Sequence, residues 1–330
     1  MTSAARSIAA PRLVVLRALG LGDLCTAVPA LRALRSRFPE HRLVLLTPQP
    51  LWPLVGLADV VDELADQSDL ATALSSAARE SDLAVNLHGR GPQSTRLLHD
   101  SHPRRLLAFA SPEIAITSSG PGWCADEHEI DRWCRLVRTT GAVPDRTDVL
   151  LQPPGRGAGA GDEGPGVIVH PGAASASRRW PHARFGSVVR ALLDRGHRVT
   201  ITGTSAEAGL AVAVVDAAVA QGDLRCVVTA GRTDLFSLAR LVAQADLVVS
   251  GDTGIAHLAT AFARPSVLLF GPTDPAHWGP TTGGPHYVVW AGSTGDPHGS
   301  QPDPGLLEIG VADVVHAIDR SPALTTPAEP

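Results

Sequence analysis

Short aliphatic runs alternate along the chain with stretches in which apolar side chains recur every three or four positions. Leu13-Val14-Val15-Leu16 is the first run, and Leu24, Val28, Leu31, Leu34 and Phe38 then recur at helical spacing until Pro39. Arg42-Leu43-Val44-Leu45-Leu46, Leu83-Ala84-Val85-Asn86-Leu87 and Arg105-Leu106-Leu107-Ala108-Phe109 read as further strands. The pattern restarts with a strand at Val167-Ile168-Val169-His170 and a helix from Phe185 to Leu193. A strand at Arg198-Val199-Thr200-Ile201-Thr202, a helix from Leu235 to Ala245 and a strand at Leu247-Val248-Val249 follow. A helix from Ile255 to Phe262, a strand at Ser266-Val267-Leu268-Leu269-Phe270 and a closing helix from Leu306 to Ile318 complete the reading. Continuous aliphatic strands alternating with helices predict parallel sheets covered on both faces.

Between the two halves, Pro153-Pro154-Gly155 through Gly166 is almost entirely Pro, Gly, Ala and acidic residues, and cannot bury apolar area. The expected organisation is an α/β domain over 1–152, a linker over 153–166 and a second α/β domain over 167–330. At 330 residues and 44% hydrophobic content the chain suits two packed domains. The net charge of −5 marks neither a nucleic-acid surface nor a polybasic membrane patch. The N-terminal apolar run stops at Arg17, too short for a signal or membrane segment, so a cytoplasmic protein with at most peripheral membrane contact is expected. The four cysteines show no C-x-x-C spacing, and no His/Asp/Glu grouping has metal spacing, so neither a metal nor a cofactor is expected. All 28 basic residues counted as Lys or Arg are arginine, as in the coding bias of a GC-rich genome.

In open α/β sheets ligands bind beyond the carboxyl ends of the strands, and the unusual residues fall there. Ser250-Gly251-Asp252-Thr253-Gly254-Ile255-Ala256-His257 joins a strand to a helix start, where free N–H groups and the positive dipole end suit a diphosphate. His257 lies one turn beyond Thr253. Asp252 and Thr253 are equally common as simple N-caps. His170-Pro171-Gly172-Ala173-Ala174-Ser175 precedes Arg178-Arg179-Trp180-Pro181; the arginines are either phosphate clamps or solvated loop charges, whereas Trp180 and Pro181 read as packing and helix-start residues. Gly203-Thr204-Ser205-Ala206-Glu207 ends another strand, with Glu207 placed as a first-turn helix carboxylate. Gly20-Leu21-Gly22-Asp23 lacks the third glycine of a dinucleotide fingerprint, since position 25 is cysteine. Asp23 suits a helix cap. Asn86 and His88 end a strand and could reach an acceptor, although a loop histidine is commonly just exposed.

The order G-x-T-x-L (Gly231–Leu235), A-D-L-V-V-S-x-D-T-G-x-x-H-L-A (Ala245–Ala259), R-P-x-V-x-L-F-G-P-T-D-P (Arg264–Pro275) and W-G-P (Trp278–Pro280) resembles glycosyltransferase family 9, the ADP-heptose:lipopolysaccharide heptosyltransferase family. The H-P-G segment, the Asp23…Pro29 spacing and the His128…Arg132 stretch resemble it too, and the likeness runs from Arg17 to about Pro280. It implies the GT-B architecture, two Rossmann-like doubly wound domains facing across a cleft. It implies an inverting, metal-independent transfer of a sugar from a nucleoside-diphosphate donor, ADP by resemblance, to a glycan or lipid-linked acceptor. In that reading Asp23 is the catalytic base, and Ser175, Arg178, Gly203, Glu207, Asp252, Thr253, Gly254 and His257 hold the donor. Arg178 stands where the family has lysine. Gly22, Asn86 and His88 are the acceptor candidates. The rival expectations are a sugar-nucleotide epimerase of the same architecture, a degenerate non-catalytic nucleotide-sugar binder, and, more remotely, a dehydrogenase.

Overall fold

The structure, a computed structural model, describes residues 10–155, 164–281 and 283–324. The chain forms two compact units: the first runs to Asp126 and includes Ile130–Asp148, and the second comprises Glu127–Glu129 and the chain from Val149 onward. The passage into the second unit precedes the composition change at Pro153, because buried Leu151 donates its N–H to the Ala261 carbonyl at 2.8 Å. Part of the expected linker, 156–163, lies outside the described residues; its flanks, 153–155 and 164–166, carry neither helix nor strand.

In the first unit β1 (Arg12–Leu16) leads to α1 (Leu21–Arg37), β2 (Arg42–Thr47), the short α2 (Trp52–Val55), β3 (Glu63–Asp66) and β4 (Leu83–Asn86). Then come α3 (Gln93–His99), β5 (Leu106–Leu107) and α4 (Glu129–Arg138). The five strands are parallel in the order β3-β2-β1-β4-β5. Leu13–Leu16 and Leu43–Leu46 are wholly removed from water, as strands covered on both faces must be. The order changes direction between β1 and β4, so the loops leaving those two strands flank the crevice at a topological switch point.

The second unit holds β6 (Val167–His170), α5 (His182–Asp194), β7 (Val199–Ile201), α6 (Ala208–Ala217), β8 (Cys226–Val228) and α7 (Leu235–Gln244). These are followed by β9 (Leu247–Gly251), α8 (Gly254–Ala261), β10 (Ser266–Phe270), α9 (Pro275–Trp278), β11 (His286–Trp290), α10 (Pro304–Glu308) and α11 (Val311–Asp319). Its six parallel strands run β11-β10-β9-β6-β7-β8, which is the 3-2-1-4-5-6 order of a dinucleotide-binding sheet read from β6. The switch point lies between β6 and β9. Both units are therefore doubly wound, as the alternation predicts.

The sheet edges differ from expectation. β3, β8 and β11 were not anticipated, and β5 is two residues long where five were expected. All four are edge strands, only partly shielded by neighbours, so their sequences lack a long aliphatic run (Glu-Leu-Ala-Asp in β3). The closing helix is also two helices. Asp303 caps α10 by accepting from Leu306 N at 3.2 Å, and Asp313 reaches back to Gly310 N at 2.8 Å to start α11. The break frees the Ile309 carbonyl, which accepts from Trp180 Nε1 at 3.0 Å and from Arg184 Nη1 at 2.7 Å. Trp180, 2% exposed and edge-on to Phe185 at 5.0 Å, is thus a core residue, in line with its packing reading.

Trp180→Ala removes both the ring and the donor. We expect it to lower unfolding stability by about 3–5 kcal/mol in denaturant melts. A loss below about 1 kcal/mol contradicts this packing.

Candidate active site

At the second switch point the loops after β6 and β9 are tied together by Arg178. Its Nε donates to Ser175 Oγ at 3.2 Å and its Nη1 to the Asp252 carbonyl at 3.2 Å. The same Nη1 lies 3.9 Å from Asp252 Oδ2. The Nε–H and one amino group are thereby engaged, while the guanidinium keeps 22% side-chain exposure and a second amino group. Ser175 gives its hydroxyl proton to the Pro297 carbonyl. Ser175 is therefore a brace between the segment around Pro297 and Arg178, not a free hydroxyl for the donor. Ser177 N also bonds the Gly299 carbonyl, at 3.1 Å. The Pro297–Gly299 support was invisible in sequence, because nothing in that polar, Gly-rich stretch marks a partner.

Asp252 is 6% exposed. Burial raises its carboxyl above the usual range, while His257, Arg178 and a hydrogen bond with Thr273 pull it back. Thr253 occupies the N-cap position of α8 in extended backbone, yet its side chain makes no capping bond. The capping alternative is thus met in position but not in chemistry: neither oxygen-bearing side chain closes the helix start. Ala256 N donates to the Thr253 carbonyl at 2.9 Å, while the N–H groups of Gly254 and Ile255 remain open to an anion. Gly251 is required by a close approach within the protein, since a Cβ there would stand 3.1 Å from the Arg178 carbonyl. Half-buried His257 lies edge-on to Trp278, 5.9 Å between centroids. Burial lowers its basicity, opposed by Asp252, and its ring can donate a hydrogen bond. His128 bonds the Gly279 carbonyl through Nε2 at 2.9 Å.

Glu207 serves locally as the carboxylate of a capping box, accepting from Thr204 N at 2.8 Å and Thr204 Oγ1 at 2.9 Å. It also lies against two glycines. A Cβ on Gly172 would come 2.1 Å from Glu207 Oε1, and one on Gly203 would come 3.2 Å from Glu207 Cβ. Gly172 therefore holds the space that the carboxylate fills, a role its place in His-Pro-Gly did not reveal. Buried His170 bonds Thr202 Oγ1 through Nδ1 at 2.9 Å; burial lowers its pKa, with Glu207 acting the other way.

At the first switch point Gly20 is the N-cap of α1, and Asp23 is the third helical residue rather than the cap. Its Oδ2 accepts from Gly20 N at 3.2 Å and its Oδ1 from Arg17 Nη2 at 3.3 Å, leaving the carboxylate 28% exposed. Gly22 precedes it in the same open first turn. Asn86 is wholly buried, with Nδ2 donating to Ser94 Oγ and Thr95 Oγ1 at 2.9 Å each and Oδ1 accepting from His88 N at 3.0 Å. Wholly buried, its amide shapes the loop and shows no surface to an acceptor, which corrects that expectation. His88 is only partly exposed; burial and Arg17 lower its basicity while Asp23 opposes them. Among the described residues, no group of three or more His, Cys, Asp or Glu side chains is placed to hold a metal ion, and no helix is long and apolar enough to cross a membrane.

The family model of glycosyltransferase family 9 (heptosyltransferase) matches residues 124–293, just over half of the chain, and the chain belongs to that family. It is 31% identical over 104 residues to lipooligosaccharide heptosyltransferase 2 of Haemophilus influenzae, covering 32% of this chain and 30% of that relative's length. The chain thus matches about a third of the length of such curated relatives. Its fold is similar to that of the E. coli ADP-heptose LPS heptosyltransferase II, with TM-score 0.78, 20% identity and 95% and 98% of the two chains covered. It is also similar to E. coli heptosyltransferase WaaC with ADP-2-deoxy-2-fluoro heptose, with TM-score 0.69, 18% identity and 93% and 99% covered. The fold is accordingly that of the GT-B heptosyltransferases.

His170 titrates near 6.5 once unfolded and lower when folded. As pH falls below 6.5 the unfolded chain takes up a proton that the folded state refuses, so stability falls. Asp252, whose pKa is raised, works in the opposite sense, so the comparison is between wild type and His170→Gln, which share it. Denaturant melts from pH 7.5 to 5.5 are expected to show a shallower loss in the variant. Parallel curves contradict a neutral buried His170.

Proposed function

We propose that the chain is an inverting, metal-independent glycosyltransferase. It moves a heptose or related sugar from an ADP-linked donor to a hydroxyl of a cell-envelope glycan or lipid-linked acceptor. The observation that carries this reading is the start of α8, left without a side-chain cap beside Arg178 and His257 at the switch point of a family 9 chain. ADP is favoured because similar proteins are described as ADP-heptose enzymes and one is described with an ADP-heptose analogue. The donor diphosphate lies against the open N–H groups at Thr253 and Gly254, with Arg178 supplying positive charge. His257 donates a hydrogen bond, Asp252 fixes Arg178, and Glu207 with Gly203 receives the nucleoside. The protein works in the cytoplasm, touching the membrane only at the surface where its acceptor resides.

Asp23 takes the proton from the acceptor hydroxyl as that oxygen bonds to the anomeric carbon. The bond from the anomeric carbon to the donor phosphate oxygen breaks, and its electron pair leaves with the nucleoside diphosphate. Attack opposite the leaving group inverts the anomeric configuration. Charge gathering on the departing diphosphate is met by Arg178 and the α8 dipole, the part a divalent cation plays elsewhere. Gly22 and His88 line the acceptor side.

Asp23→Asn is expected to keep ADP affinity and to lose about 10²–10⁴-fold in turnover, followed as ADP released from ADP-heptose with an envelope glycan fraction. Turnover within about threefold of wild type removes Asp23 as the base.

A further inference from the structure

Arg17 directly follows β1 and is 1% exposed, an uncommon place for a permanent cation, which is costly to bury unless its charge and N–H groups are satisfied. Its Nε donates to the Asp23 carbonyl at 2.9 Å, and Nη2 donates to Asp23 Oδ1 at 3.3 Å and Thr26 Oγ1 at 3.1 Å. Nη1 donates to the Leu87 carbonyl, and the guanidinium carbon lies 4.7 Å above the Trp133 ring. One side chain thus joins the end of β1, the first turns of α1, the loop after β4 and helix α4. Thr26 closes the arrangement by donating its own hydroxyl to the Asp23 carbonyl at 2.9 Å.

Both the main chain and the side chain of Asp23 are held by the same planar fork, a geometry that a lysine ammonium does not reproduce. Each carboxylate oxygen then has one protein donor, Oδ1 from Arg17 and Oδ2 from Gly20 N. The remaining lone pairs, on a carboxylate that is 28% exposed, are free to meet a hydroxyl. Burial separates the two partners: the arginine is sealed in the protein and the carboxylate reaches its surface.

We infer that Arg17 is the positioning residue for the base: it fixes the rotamer of Asp23 and of the turn carrying it, and acts on catalysis only through that carboxylate. The inference rests on the reading of Asp23 as the base. A base displaced by about 1 Å loses about 10²-fold in rate, so Arg17 governs kcat without touching substrate.

The test is a double-mutant cycle with Arg17→Met and Asp23→Asn, following ADP release from ADP-heptose with the envelope glycan fraction. Arg17→Met keeps an unbranched apolar stem against Trp133. It is expected to lower kcat by about 10–100-fold with the donor KM within about twofold. Added to Asp23→Asn, it is expected to lower kcat no further, because its route of action is already gone. Full multiplicative loss in the double variant overturns the inference, since a merely structural role damages both backgrounds alike. Thr26→Val, which removes one acceptor of Arg17 while keeping the cation, covers the case in which Arg17→Met does not fold. It is expected to lower kcat severalfold in wild type and not in Asp23→Asn; an equal loss in both contradicts the role. A wild-type enzyme that turns over while Asp23→Asn stays fully active overturns the base assignment and this inference with it. An Asp23→Asn defect without coupling to Arg17 overturns the inference alone.

Discussion

The buried carboxylate of Asp252 is the constraint on which the arrangement at the second unit's switch point depends. It sits where a helix-capping residue is expected, but faces Arg178 and Thr273 and leaves the start of α8 unclosed. Taking that carboxylate out of water requires a counter-charge, and Arg178 supplies it from the loop after β6. The pairing draws the β6 and β9 loops together at the point where strand order reverses. Arg178 is thereby held in place beside a helix start without a side-chain cap, an arrangement that suits an anion.

Each unit carries an arginine–aspartate pair at its switch point, and burial assigns them opposite tasks. In the second unit the aspartate is the buried member, at 8% side-chain exposure against 22% for Arg178, so the arginine is the partner left accessible. In the first unit Arg17 is sealed at 1% and Asp23 remains 28% exposed, so the carboxylate is presented and the cation holds it. One kind of ion pair thereby leaves a cation exposed in one unit and a carboxylate exposed in the other.

Most of this architecture was legible in the sequence for physical reasons. Strands buried on both faces announce themselves as unbroken aliphatic runs, so β1, β2, β4, β6, β9 and β10 were all expected. Edge strands β3, β8 and β11 were missed because partial shielding leaves them a mixed composition. Among candidate site residues, the Asp252–His257 loop stood out because a strand end, glycines and a helix start coincide, and the structure has that strand end and helix start. Asn86 misled because a polar residue at a strand end looks the same whether it faces a ligand or, as here, Ser94 and Thr95. Ser175 misled similarly, its partner lying 122 residues away. Contacts of that range leave no periodicity to read, which is also why the space Gly172 keeps for Glu207 was hidden.

The most direct measurement of the account is thermal unfolding in EDTA with ADP, GDP, UDP, CDP or dTDP. A nucleotide bound only by the folded state at a hundredfold excess over its Kd adds about 2.7 kcal/mol, enough to move the midpoint clearly. The account predicts a rise with ADP above the other nucleotides, undiminished by the chelator. No rise with any of the five, or a rise that appears only when divalent metal is restored, contradicts it.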